Sequence, residues 1–125
     1  MTSVSILHID ECPLFHHILS LFLRGRLPHC FLVGQARSSK EALALAPVLR
    51  PDLILCDFSM PGFSSAKMIP QLRAMLPQTP IIALTLFRSR QPARQAGSDA
   101  SVLKSKLGRD LLREIQRVCP EAHSP

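Results

Sequence analysis

Short apolar runs alternate with segments of helical period along the whole chain, which predicts a parallel sheet with helices on both faces. The first run is Val4 to Ile9. A helix follows with Pro13 near its first position, where the missing N–H leaves nothing unsatisfied. Leu14, Ile18, Leu21 and Phe22 fall at helical spacing and supply its apolar stripe. After a break at Leu27-Pro28, a second strand is expected at Cys30 to Val33. Ser38 and Glu41 have capping-box spacing for a second helix, with Ala42, Leu45, Ala46 and Leu49 facing one way. Leu53 to Cys56 contains no polar residue, as a strand covered on both faces requires.

The second half repeats the scheme less cleanly. A third helix carries Ile69, Leu72, Met75 and Leu76, and Pro70 is expected to delay its start or kink its first turns. The fourth strand is Ile81 to Leu84. The stretch from Leu86 to Ala96 is polar and basic and lacks an apolar stripe, so only a short fourth helix is expected, from Pro92 to a stop at Gly97. The fifth strand is Ser101 to Leu103. A last helix runs from Lys106 to Val118, with Leu107, Leu111, Ile115 and Val118 inward and Arg109, Arg113 and Arg117 opposite. Residues 1–119 thus form one domain, and residues 120–125 read as a tail or a cut linker.

The strand ends carry the chemistry. Asp57 closes the third apolar run and precedes Phe58-Ser-Met-Pro-Gly62. Asp10 and Glu11 follow the first run, Thr85 ends the fourth and Lys104 follows the fifth. Open α/β sheets place their sites at the carboxyl ends of the strands, so all of these should meet at one edge. Carboxylates with open positions suit Mg²⁺, and a nearby ammonium suits a phosphoryl group. Singly, each residue has an ordinary role as turn former, helix N-terminal acid, strand residue or solvated charge. Jointly, those roles leave the shared edge unexplained.

Composition narrows the class. The chain has 125 residues, 46% hydrophobic and 19% charged, which suits one globular domain. No apolar stretch reaches the ~18 residues of a spanning helix, and the N-terminus has no basic n-region, so a cytoplasmic protein without membrane contact is expected. Cys12, Cys30, Cys56 and Cys119 lack metal-ligand spacing and read as reduced thiols. His16 and His17 read as surface residues of the first helix. Of the net charge of +6, residues 88–117 hold +5, with eight basic residues against Asp99, Asp110 and Glu114. Besides a solvated surface, that region suits an acidic protein partner or a homodimer. No helix-turn-helix and no Tyr or Trp for base stacking is found, so direct nucleic acid binding is not expected.

Together these residues resemble the receiver domains of bacterial two-component response regulators over essentially the full length. Ile9-Asp-Glu-Cys-Pro-Leu-Phe15 is most similar to receivers of LuxR/NarL-type transcription factors, and Pro51-Asp-Leu-Ile-Leu-Cys-Asp-Phe-Ser-Met-Pro-Gly62 is similarly close. The resemblance implies a flavodoxin-like doubly wound sheet of five parallel strands in order 2-1-3-4-5. It implies Asp57 as phosphoacceptor from a sensor histidine kinase or phosphotransfer protein, with Mg²⁺ held by Asp10, Glu11, Asp57 and the backbone carbonyl of Ser59. Thr85 would bond a phosphoryl oxygen and Lys104 would pair with its charge. The implied role is a switch rather than a turnover enzyme, driving an output such as transcription through a DNA-binding domain absent here.

Four departures stand out. Glu11 replaces the commoner second Asp, and Ser65 stands where the family usually has Gly. The interval from Thr85 to Lys104 is about three residues shorter than in the family the chain resembles, and Ser101 replaces the aromatic that usually couples phosphorylation to output. A degenerate receiver acting as a phosphorylation-independent interaction module is therefore the alternative. A flavodoxin-like cofactor enzyme is a weaker rival, because no glycine-rich phosphate loop follows the first strand.

Overall fold

A computed structural model describes residues 3–58, 65–86 and 91–120. The strands are β1 (Val4–Ile9), β2 (Cys30–Ala36), β3 (Leu53–Asp57), β4 (Ile81–Thr85) and β5 (Ala100–Leu103). They pair in parallel in the order β2-β1-β3-β4-β5. Between and after them run α1 (Pro13–Arg26), α2 (Ser39–Leu49), α3 (Ser65–Met75), α4 (Gln91–Ala96) and α5 (Leu107–Val118), the last entered through a 3₁₀ turn at Lys104–Lys106. This is the flavodoxin-like doubly wound order, whose switch point lies between β1 and β3.

Strand alternation sorts the core into two layers. Val4, Ile6, Leu53, Leu55, Ile82, Leu84 and Val102 pack with Leu19 and Leu23 of α1 and Leu111 and Ile115 of α5. Leu7, Ile9, Ile54, Cys56 and Ile81 pack on the other face with α2 and α3. His8, Asp10 and Asp57 share the parity of the first layer, so they lie on the α1/α5 side of the sheet.

Several local expectations are corrected. In α1 the stripe of Leu14, Ile18 and Leu21 faces solvent, each at least half exposed, while Phe15, Leu19, Phe22 and Leu23 pack inward. The helix is apolar on two sides, so periodicity alone did not choose between them. The Ser38 hydroxyl accepts the Glu41 N–H at 3.1 Å, but the Glu41 carboxylate accepts from Arg37 rather than closing the box on Ser38. Of the two effects expected of Pro70, a delayed start is not met, because α3 runs Ser65–Met75 with Pro70 inside it. Its exposed ring sits in the second turn, where the amide hydrogen bond to Ala66 is the one forgone. Ser65 itself opens the helix, so its backbone is helical rather than left-handed. The second strand runs on to Ala36, beyond the expected Val33, with a register shift opposite Ile6/Leu7.

Other features follow expectation. The short α4 stops at Gly97, whose φ of 106° lets Ser98 N–H reach the Ala93 carbonyl and Gly97 N–H reach that of Arg94. Arg109, Arg113 and Arg117 are exposed on α5, and Arg113 and Arg117 pair with Asp110 and Glu114 three residues back. Asp110, however, is buried at 4% exposure beneath its arginines rather than lying on a solvated face. Cys30, Cys56 and Cys119 are buried and in no disulfide among the described residues, and burial pushes the Cys30 pKa up to about 11.

Arg50 ends α2 at φ 46°, ψ 61°, a left-handed conformation that costs a side-chain-bearing residue about 1 kcal/mol. Arg50→Gly is expected to raise stability by about 0.5 kcal/mol, since relief of strain is partly offset by the greater freedom of unfolded glycine. An unchanged or lower urea midpoint would count against strain at this cap.

Candidate functional site

Sheet register assembles the site. Ile9 is paired with Cys56, Asp57 with Leu84, and Thr85 with Leu103. Asp10 therefore emerges beside Asp57, and Lys104 emerges beside Thr85, all at the carboxyl edge. Asp10 and Asp57 are 1% and 4% exposed, and Thr85 is equally buried. The backbone of Asp10 is anchored by its N–H to Ala36 O and by the Gln35 amide on its own carbonyl, both at 2.9 Å. Its Oδ1 accepts the Cys12 N–H at 2.9 Å.

Lys104 joins the two buried acids. Its Nζ lies 3.4 Å from Oδ2 of Asp10 and 3.3 Å from Oδ2 of Asp57, and 4.7 Å above the Phe15 ring. A cation thus stands between carboxylates that would otherwise repel, supported by an aromatic face. Glu11, next to Asp10 in the chain, is exposed. Among the described residues no three acidic, imidazole or thiol groups enclose a metal by themselves. Such an open pair of oxygen donors suits Mg²⁺, which takes one or two carboxylates and fills its shell with water and phosphate. Ser59, residues 60–62, Arg88, Arg90 and residues 121–125 lie outside the described residues.

Removing the ammonium should expose this dependence. Lys104→Met leaves two buried carboxylates without their cation and is expected to cost about 2–3 kcal/mol in metal-free buffer. Added Mg²⁺ should return part of that loss. Urea unfolding with and without Mg²⁺ reads both effects, and equal midpoints for Lys104→Met and the parent in metal-free buffer would contradict the bridging role.

Sequence reasoning missed His8. It is fully buried in β1, one strand repeat before Asp10 on the same face. Its Nδ1 meets Nδ1 of His16 at 3.0 Å, so His16 is a half-buried partner rather than a free surface residue, while His17 stays exposed. A histidine at the parity of Asp10 inside an apolar strand was the available signal.

At the edge of β5, the Ser101 hydroxyl is buried without a hydrogen-bond partner among the described residues. Beside it a cavity of about 150 Å³ is lined by Arg94, Ser98, Asp99, Glu114 and Arg117. Ser101 thus leaves space and an unsatisfied hydroxyl in place of a ring.

Residues 6–116 match the sequence profile described as the response regulator receiver domain. The chain belongs to that family. This receiver domain is 29% identical over 118 residues to the response regulator protein VraR of Staphylococcus aureus, covering 92% of the chain and 56% of VraR. The chain therefore spans about half the length of the curated relatives it matches. Among solved structures, a LuxR-family two-component response regulator from Aurantimonas sp. superposes with a TM-score of 0.85 at 22% identity, covering 96% of this chain and 87% of that one. The response regulator domain of Thermotoga maritima CheB superposes with a TM-score of 0.82 at 20% identity, covering 98% and 99%. These identities carry the fold alone.

Proposed function

We propose that this receiver domain accepts a phosphoryl group on Asp57 from a sensor histidine kinase or phosphotransfer protein in the cytoplasm. The observation that carries the reading is Lys104 Nζ spanning Asp10 and Asp57 at 3.4 and 3.3 Å. A carboxylate oxygen of Asp57 forms the new O–P bond as the P–N bond of the donor breaks, and the donor imidazole keeps the electron pair. Lys104 follows the growing negative charge on the phosphoryl oxygens, and Thr85, buried at the same edge, offers its hydroxyl to one of them. Asp10, Asp57, Glu11 and the carbonyl of Ser59 would hold Mg²⁺, which when bound neutralises charge on the transferred group. Few protein groups are needed for such a transfer beyond positioning and electrostatics.

The domain acts as a switch rather than a turnover enzyme. With Ser101 in place of a ring and α4 only six residues long, output is proposed to run through loop movement or self-association. The exposed arginines of α5 and the apolar stripe of α1 next to the acidic edge offer surface for an acidic partner, a second copy or the phosphodonor. The same departures favour, as a second reading, an interaction module that needs no phosphate.

Acetyl phosphate with Mg²⁺ separates the two. Intact-mass spectrometry should record a phosphate-sized gain that disappears when Mg²⁺ is chelated. No gain with Mg²⁺ present would leave only the interaction module.

A further inference from the structure

The buried histidine of β1 has one nitrogen committed and one aimed at the acidic edge. Its Nδ1 is taken by His16 at 3.0 Å, with the rings stacked 5.2 Å apart and 12° from parallel. Among the described residues its Nε2 has no hydrogen-bond partner, and it lies 3.7 Å from Oδ2 of Asp10. The ring also packs on Phe15, 5.7 Å between centroids, whose face carries Lys104. The 3.0 Å contact between the two Nδ1 atoms requires one ring to accept there, so at least one ring of the pair is neutral.

The histidine pair can share its protons in two ways. If His8 donates from Nδ1, its Nε2 lone pair points at the Asp10 carboxylate, which is repulsive. If His16 donates from Nδ1, His8 presents Nε2–H to that carboxylate, which is attractive. Inside the fold, where charge is poorly screened, the carboxylate selects the second arrangement.

We propose that His8 is a positioning residue of the phosphoacceptor site: His16 fixes it with the proton on Nε2, and Nε2–H holds Asp10 in its cation-binding orientation. The proposal rests on the phosphoacceptor reading and extends it. Cys12 N–H fixes Oδ1 of Asp10, whereas Oδ2 has Lys104 Nζ at 3.4 Å and His8 Nε2 at 3.7 Å, just beyond a hydrogen bond. When Lys104 turns toward the phosphoryl group on Asp57, His8 is left as the donor to Oδ2. His16 sits half-buried on α1, so the chain His16–His8–Asp10 ties an outer helix to the metal-binding carboxylate.

Two measurements test this on the full chain. Imidazole ¹⁵N–¹H correlation spectra of the metal-free protein should show His8 protonated on Nε2. Calorimetric titration with Mg²⁺ should give a dissociation constant about tenfold weaker in His8→Leu, the loss typical of a carboxylate's supporting partner. His8→Gln, whose amide nitrogen reaches close to the Nε2 position, should recover most of it, although leucine fills the space equally well. Unchanged Mg²⁺ affinity in His8→Leu, or a His8 proton on Nδ1, overturns the proposal. Should His8→Leu fail to fold, the wild-type spectrum still decides between the tautomers. A wild-type protein that binds no Mg²⁺ overturns the phosphoacceptor reading, and His8's role with it. Normal Mg²⁺ binding with the wrong tautomer overturns His8's role alone.

Discussion

Asp57→Asn is expected to abolish the phosphate-sized mass gain from acetyl phosphate and to slow any residual labelling by at least about 100-fold. The amide matches the carboxylate in shape, so the buried end of β3 should stay folded. What it lacks is the nucleophile, because the amide oxygen shares its electrons with nitrogen and carries no full charge. It also withdraws one of the two anions that face Lys104, so binding of Mg²⁺ should weaken in the same variant. Intact-mass spectrometry of both proteins, with Mg²⁺ and the same acetyl phosphate, checks the result. Equal mass gain in Asp57→Asn would move the phosphoacceptor elsewhere and undo the site as described.

Acid is expected to destabilise the fold through His8. In the folded protein burial keeps this ring neutral down to about pH 3, while in the unfolded chain it takes a proton near 6.5. Between those values the unfolded state binds the extra proton, so stability falls as pH falls. Above pH 6.5 the contribution is fully present and flat. The whole interval is worth on the order of 4–5 kcal/mol, a large share of the stability of a small domain. Burial lowers the pKa of His16 as well, which acts in the same direction. Urea unfolding of the parent and His8→Leu from pH 7.5 to 4 isolates the effect, because carboxylate titration is common to both. The parent should lose stability more steeply on acidification, and parallel curves would remove His8 as the cause.

The site was legible because its residues are few and its geometry follows from strand pairing. Once the chain is read as alternating strands and helices, parallel pairing forces every strand end to one edge. Asp10, Asp57, Thr85 and Lys104 then meet there without any detail of packing. The short α4 and its stop at Gly97 were legible for a similarly local reason: the segment lacks apolar residues, and glycine tolerates the φ that ends a helix.

Other features depended on how helices sit against the sheet. The α1 segment carries apolar residues on two sides, so its inward face was decided by contact with β1 and α5 rather than by period. Rolling that helix onto Phe15, Leu19 and Leu23 is what leaves Leu14, Ile18 and Leu21 exposed and brings His16 over His8. Burial of Asp110 has the same origin, since neighbours around α5, not its own sequence, determine what covers it.

By itself the order of residues determined the doubly wound sheet and the edge where acid, hydroxyl and ammonium gather, because backbone pairing and side-chain alternation are local rules repeated along the chain. Only the tertiary structure decided which helix face turns inward, and so which histidines touch and how Lys104 bridges the acids. Those contacts join residues as far apart as Asp10 and Lys104, and they depend on helix rotations of a few tens of degrees that no period in the sequence specifies.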